Sequence, residues 1–145
     1  MKTDKTAPFI FAISGYKNSG KTSLITGLIP VLNRRGYKVA VIKHDGHDFE
    51  PDVPGTDSFR HRKAGAYGTA VFSDRRFMIT KEFDTDKKES FNEKILMEAF
   101  PEADIILIEG LKNSRYPKYI CEYPKKELID PSALADRITE LMKGN

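Results

Sequence analysis

Tryptophan is absent, cysteine occurs once, and no apolar run approaches the roughly 20 residues that a bilayer span requires. The last two of these shortages each exclude a class of protein. The lone Cys121 rules out an internal disulfide framework and fits a reducing compartment, and its setting in "KYICEY" reads as a buried strand thiol rather than a nucleophile. The amino-terminal "MKTDKTAP" is charged but has no apolar segment behind it, so no secretory signal is expected. The expected setting is the cytoplasm, with no membrane. Net charge is also small: the formal net charge is +3, with a local basic run at "RHRK". That balance argues against a nucleic-acid partner and leaves anionic small ligands open. At 145 residues, 39% hydrophobic and 31% charged, the composition is that of one globular domain over 1–145.

What is present is a set of short, nearly continuous apolar runs. "PFIFAIS", "YKVAVIKH" and "ADIILIEG" are rich in Ile and Val, as strands covered on both faces are, and they predict a parallel, central sheet. Between the first two, Leu24, Leu28, Val31 and Leu32 form one helical stripe that ends at Gly36, with Pro30 to be accommodated near its last turns. "KESFNEKILMEAF" and "DPSALADRITELMKG" predict two amphipathic cover helices, the second with Asp130 as N-cap and Pro131 in the first helical position. "TAVFSDRRFMITKEF" reads as two strands about a polar turn, a hairpin at about 69–83 whose apolar face is assigned to Val71, Phe77 and Ile79. The fold class expected is therefore a three-layer α/β arrangement of the P-loop NTPase kind, with a mainly parallel central sheet and an antiparallel hairpin extension.

The chemistry is carried first by "GYKNSGKT". Gly15, Gly20, Lys21 and Thr22 satisfy G-x-x-x-x-G-K-[ST] with a strand before and a helix after, the context the motif needs. Glycines let the chain curl so that successive amides point inward, Lys21 reaches terminal phosphates, and Thr22 offers a hydroxyl to Mg²⁺. Ser23 adds a contact to the inner phosphate, and Lys17 reads as a solvated loop residue or a partner contact. An acidic group at the end of another buried strand should hold the metal or its water, and Glu109 of "DIILIEG" is placed there, at the carboxyl edge where open α/β sheets bind ligands. Asp104 starts that strand and faces the other edge. The long stretch after the second strand brings Asp45 or Asp57 toward the Mg²⁺ shell. His44, Asp45, His47 and Asp48 could instead form a metal site, although loop histidines lack a helix pair's fixed spacing. The helix opened by Thr56 or Asp57 carries the basic residues Arg60, His61, Arg62 and Lys63.

Together, "GYKNSGKT", "VIKHDGHDFEPDVPGTDSFRHRKAGA" and "ADIILIEGLKNSRYPK" resemble the molybdopterin-guanine dinucleotide biosynthesis protein B family over roughly residues 8–121. The resemblance implies a protein similar to dimeric P-loop GTPases. It would bind GTP with Mg²⁺, turn it over slowly, and act as an adaptor for the MobA-type molybdopterin guanylyltransferase that attaches GMP to the pterin of the molybdenum cofactor. It also implies a homodimer with the hairpin as a contact. On this reading Lys21, Glu109 and Asp45 are catalytic. The nucleotide is held by Gly15, Tyr16, Lys17, Asn18, Ser19, Gly20, Lys21, Thr22, Ser23, Asp57 and Arg60, and the metal by Thr22, Glu109 and Asp45. The chain departs from the family pattern at Gly46, where a histidine is frequent, and at Thr56, where a lysine is. It has no [NT]-K-x-D guanine reader, so guanine preference rests on the resemblance. Two other classes compete: a small-molecule kinase with Arg60 and Arg62 as phosphate clamps, and a non-catalytic module that carries nucleotide or pterin.

Overall fold

In this computed structural model, which describes residues 6–46, 49–83, 91–122 and 127–144, the apolar runs and stripes become ten elements. They are β1 (Phe9–Gly15), α1 (Lys21–Arg34), β2 (Val39–Lys43), α2 (Asp57–Lys63), β3 (Gly68–Phe72), β4 (Phe77–Lys81), α3 (Lys94–Met97), β5 (Ile105–Glu109), β6 (Lys118–Cys121) and α4 (Pro131–Lys143). The chain divides into two compact units, Met1–Asp45 with Asn92–Asn145, and Gly46–Phe91.

In the first unit β2, β5, β1 and β6 lie side by side in that order, all parallel. The continuous apolar run of β5 is explained by this position, because every residue from Ile105 to Glu109 is buried between two strands and two covered faces. At roughly 1.5–3 kcal/mol for each large aliphatic side chain removed from water, this strand is a main source of cohesion. One face packs Phe11, Ile13, Ile105 and Leu107 against Leu24, Leu28 and Leu32 of α1 and Leu134 and Ile138 of α4. The other packs Ala12, Ile42, Ile106 and Ile108 under Met97 of α3, Leu111 and Tyr116. Helix, sheet and a thin third layer follow, the arrangement expected of the P-loop NTPase class.

Both long helices end as their sequences direct. Gly36 N–H donates to Asn33 O (3.0 Å) and Tyr37 N–H to Leu32 O (3.1 Å), a Schellman closure of α1. Pro30 lies on the exposed side, and the helix runs past it to Arg34. Asp130 accepts from Ser132 N and Ala133 N, so it caps α4 ahead of Pro131.

Two expectations change. The stretch 88–100 yields a single helical turn among its described residues, Lys94–Met97: Phe91, Ile95 and Leu96 stay exposed and only Met97 turns inward, so little packing stabilises a longer helix. The strand "YKVAVIKH" is at the edge of the described sheet rather than central, because β5 inserts between it and β1.

In the second unit β3 and β4 pair antiparallel, Gly68 opposite Lys81 through Phe72 opposite Phe77, and Ser73 N–H donating to Arg76 O (2.8 Å) closes the turn. The alternation of strands corrects the predicted apolar face. Ala70, Phe72, Phe77 and Ile79 share one side, whereas Val71 lies with Met78 on the other. Phe72, Phe77 and Ile79 are 84%, 71% and 66% exposed.

Candidate functional site

The parallel register gathers three chain segments at the carboxyl edge of the sheet. β1 ends at Gly15 with β6 on one side and β5 on the other, Ile13 stands opposite Glu109, and Glu109 stands opposite Lys43. Past β1 the backbone takes turns that side chains resist. Gly15 has φ +149°, and a Cβ there would lie 2.6 Å from the Cys121 carbonyl oxygen; Gly20 has φ +99°, and its Cβ would lie 2.8 Å from a Leu128 methyl. Asn18 adopts a left-handed conformation at φ 63°, a region asparagine tolerates. Lys21 opens α1, whose first turn holds no acidic residue of its own. Its ammonium bends back to donate to Gly15 O at 2.7 Å and thus lies across the loop.

Beneath the loop, Ser19 is buried, and its hydroxyl makes no hydrogen bond of normal geometry beyond a weak approach to the Cys121 thiol. Burial pushes that thiol's pKa up, against smaller lowering effects of the Lys21 ammonium and the Ser19 hydroxyl. Cys121 is thus a structural thiol packed under the loop.

Thr22 Oγ1 donates to Glu109 Oε1 at 2.7 Å, and the Lys43 ammonium is 3.3 Å from Glu109 Oε2. Glu109 is buried, and its backbone oxygen accepts from His44 N–H at 3.0 Å. One hydroxyl and one carboxylate, both hard oxygen donors, suit Mg²⁺, which keeps much of its shell as water and phosphate oxygens. They fit no protein-only cage: among the described residues, no three His, Cys, Asp or Glu side chains cluster for a metal.

The remaining candidates are distributed as follows. Tyr16, Lys17 and Asn18 are exposed on the loop, with the Lys112 ammonium 4.6 Å from the Tyr16 ring centroid. Ser23 is exposed in the first turn of α1. Asp45 is exposed two residues beyond β2, and His44 precedes it. His47 and Asp48 lie outside the described residues. Asp57 and Arg60 are exposed on α2, in the Gly46–Phe91 unit. Arg62 is not a free phosphate clamp: its guanidinium meets the buried carboxylate of Asp52 at 3.2 Å and also Glu50 and Glu82. Sequence reasoning missed Lys43 and Asp52. Lys43 depends on the β2–β5 register, which the sequence does not state, and Asp52 sits in a loop with no periodicity to mark it.

A separate cleft of about 700 Å³, lined by Phe9, Tyr37, Asp104, Tyr116 and Leu141 among others, opens at the opposite ends of the strands, away from the loop motif. There Asp104 Oδ2 accepts from Lys38 N–H at 2.7 Å, as its position at the start of β5 suggests.

Residues 10–138 match the model of a family described as molybdopterin guanine dinucleotide synthesis protein B. The chain is 36% identical over 139 residues to a molybdopterin-guanine dinucleotide biosynthesis adapter protein of Escherichia coli, covering 90% of this chain and 78% of that one. It is 36% identical over 124 residues to the adapter protein of Haemophilus influenzae, covering 84% and 66%. Among solved structures, Bacillus subtilis MobB superposes with a TM-score of 0.62 at 32% identity, over 79% of this chain and 68% of that one.

Proposed function

The chain belongs to the molybdopterin guanine dinucleotide synthesis protein B family, and on that premise we propose that it is a cytoplasmic GTP-binding adaptor with weak Mg²⁺-dependent GTPase activity in molybdenum cofactor maturation. The observation that carries this reading is the Thr22–Glu109 hydrogen bond at the start of α1, directly after an unbroken G-x-x-x-x-G-K-T loop. Thr22 and Glu109 would hold Mg²⁺, which supplies charge neutralisation on the transferring phosphoryl group. The loop amides from Gly15 to Thr22 cradle the phosphate chain, and Lys21 leaves the Gly15 carbonyl for the terminal phosphate. Asp45, just past β2, completes the proposed site. The partner is a MobA-type guanylyltransferase with its molybdenum cofactor, and the adaptor works as a homodimer whose contact includes the β3–β4 hairpin.

Equilibrium binding of a fluorescent GTP analogue with Mg²⁺, run beside the adenine analogue, tests the reading together with phosphate release. Wild type should prefer the guanine analogue and release phosphate slowly without any acceptor. Lys21→Ala should lose detectable binding while its circular dichroism stays native. Unchanged affinity in that variant would sink the phosphate-loop assignment, and release only with an added acceptor would indicate a kinase.

A further inference from the structure

The loop between β5 and β6 is built to deliver one cation to the phosphate loop. Leu111 is held at φ 53°, a left-handed conformation that costs a non-glycine residue on the order of 1 kcal/mol and persists only where the surroundings enforce it. Ser114 N–H donates to Leu111 O (3.0 Å), which closes a turn. Lys118, fixed in β6 beside Ala12, reaches under that turn and donates to the carbonyls of Lys112 (3.0 Å) and Ser114 and to the Ser114 hydroxyl (3.3 Å). With its backbone thus pinned, Lys112 projects its ammonium onto the face of Tyr16, the second residue of the motif, 4.6 Å from the ring centroid.

The position has a direction. Lys21, whose ammonium serves the terminal phosphates, ends on the carbonyl of Gly15, the residue before Tyr16. Glu109, three residues before Lys112, closes the metal side through Thr22. On the nucleotide-binding reading, a cation carried over Tyr16 stands next to the Gly15 carbonyl on which Lys21 rests, on the side of the loop that this lysine serves.

We propose that Lys112, seated on Tyr16 and braced by Lys118, is a specificity-determining residue that makes the site prefer a nucleoside triphosphate over the diphosphate. The inference rests on the nucleotide-binding reading above. A terminal phosphate draws the ammonium from the ring, and exchanging a cation–π contact for a charge-assisted hydrogen bond favours the ligand that carries the extra charge.

The test measures Kd for a non-hydrolysable GTP analogue and for GDP, both with Mg²⁺, in wild type, Lys112→Met, Tyr16→Leu, Tyr16→Phe and Arg115→Met. Lys112→Met should lower the triphosphate-to-diphosphate affinity ratio about tenfold, or about 1.4 kcal/mol. Tyr16→Leu should lower it several-fold, and Tyr16→Phe, which keeps the aromatic face, should restore it. Arg115→Met removes the same charge from the same loop and should leave the ratio within about twofold of wild type. The preference should also weaken as salt is raised. An unchanged ratio in Lys112→Met, or an equal fall in Arg115→Met, overturns the inference alone. Wild type that binds neither nucleotide overturns it together with the function on which it rests.

Discussion

Replacing Glu109 by Gln separates stability from function more cleanly than any other change at the site. The substitution keeps the side chain's size, so β5 retains its packing and the Thr22 hydroxyl still has an oxygen to which it can donate. The ion pair with Lys43 is lost, but the Lys43 side chain is 60% exposed, and its ammonium returns to water without a stranded charge. Pairs of that kind contribute about 0–1 kcal/mol, and relief from burying an ionised carboxylate offsets part of the loss. The melting temperature should therefore move by no more than about 4 °C, the shift that about 1 kcal/mol gives in a domain of this size. Function should change far more. A group that holds Mg²⁺ or its water through one contact is worth roughly 10–100-fold, and one engaged mostly at the transition state lowers turnover more than affinity. Phosphate release, analogue affinity with and without Mg²⁺, and thermal melting by circular dichroism give the three numbers. Turnover equal to wild type removes Glu109 from the mechanism; a melting point lowered by about 10 °C would refute the argument that Lys43 is not left stranded.

Two further outcomes follow from the same geometry. The Cys121 thiol pKa is raised by burial, so its contribution to stability is complete below the unfolded thiol's pKa and is lost as pH rises through the higher folded value. Urea midpoints should accordingly fall more steeply in wild type than in Cys121→Ala as pH rises above about 8.5, and parallel slopes would show the thiol has no part. Phe77→Asp places a charge on a hairpin face where the native ring is 71% exposed, so the subunit's own stability should change by roughly 0.5 kcal/mol or less while a dimer using that face dissociates. Light scattering at matched concentrations, with GTP and Mg²⁺, decides it: an unchanged dimer mass, or a wild-type monomer at high concentration, ends the hairpin-contact proposal.

How much the sequence disclosed depended on whether a residue's role was local. The loop glycines, Lys21, Thr22, the Asp130 cap and the Gly36 stop are all set by neighbours within a few positions, and the pattern of those neighbours is visible in one dimension. Glu109 was also accessible, because an acidic residue that ends an otherwise apolar strand has few other uses. Lys43 and Lys112 depend on pairing between strands far apart in sequence. The first needs the β2–β5 register, which no periodicity states, and the second needs a strained turn held by Lys118. The helix expected from "KESFNEKILMEAF" was cut to one turn among the described residues for the complementary reason: a stripe extends a helix only where another surface receives it, and Ile95 and Leu96 are exposed.

The Gly46–Phe91 unit shows what happens when charge does the organising that an apolar core does elsewhere. α2 buries no residue completely, yet the Asp52 side chain is fully buried and takes Ser58 Oγ and Arg62 Nε at 3.2 Å each, while Arg62 also meets Glu50 and Glu82. The Arg62 guanidinium and Lys63 ammonium further lie 5.7 and 5.3 Å from the Phe59 ring centroid. The "RHRK" run is therefore two things at once: Arg62 is committed inward as the hub of an ion-pair network, and Arg60 and His61 stay exposed. Such a network fixes geometry well but contributes little net stability, because buried charges give back in desolvation much of what they gain in attraction. A two-stranded ribbon is itself marginal in water. A unit held this way, with Phe72, Phe77 and Ile79 turned outward on one ribbon face, has its conformation specified from within and its apolar surface left for something else to cover. The homodimer contact proposed for the hairpin would use such a division: a ribbon shaped before association, and stabilised by it.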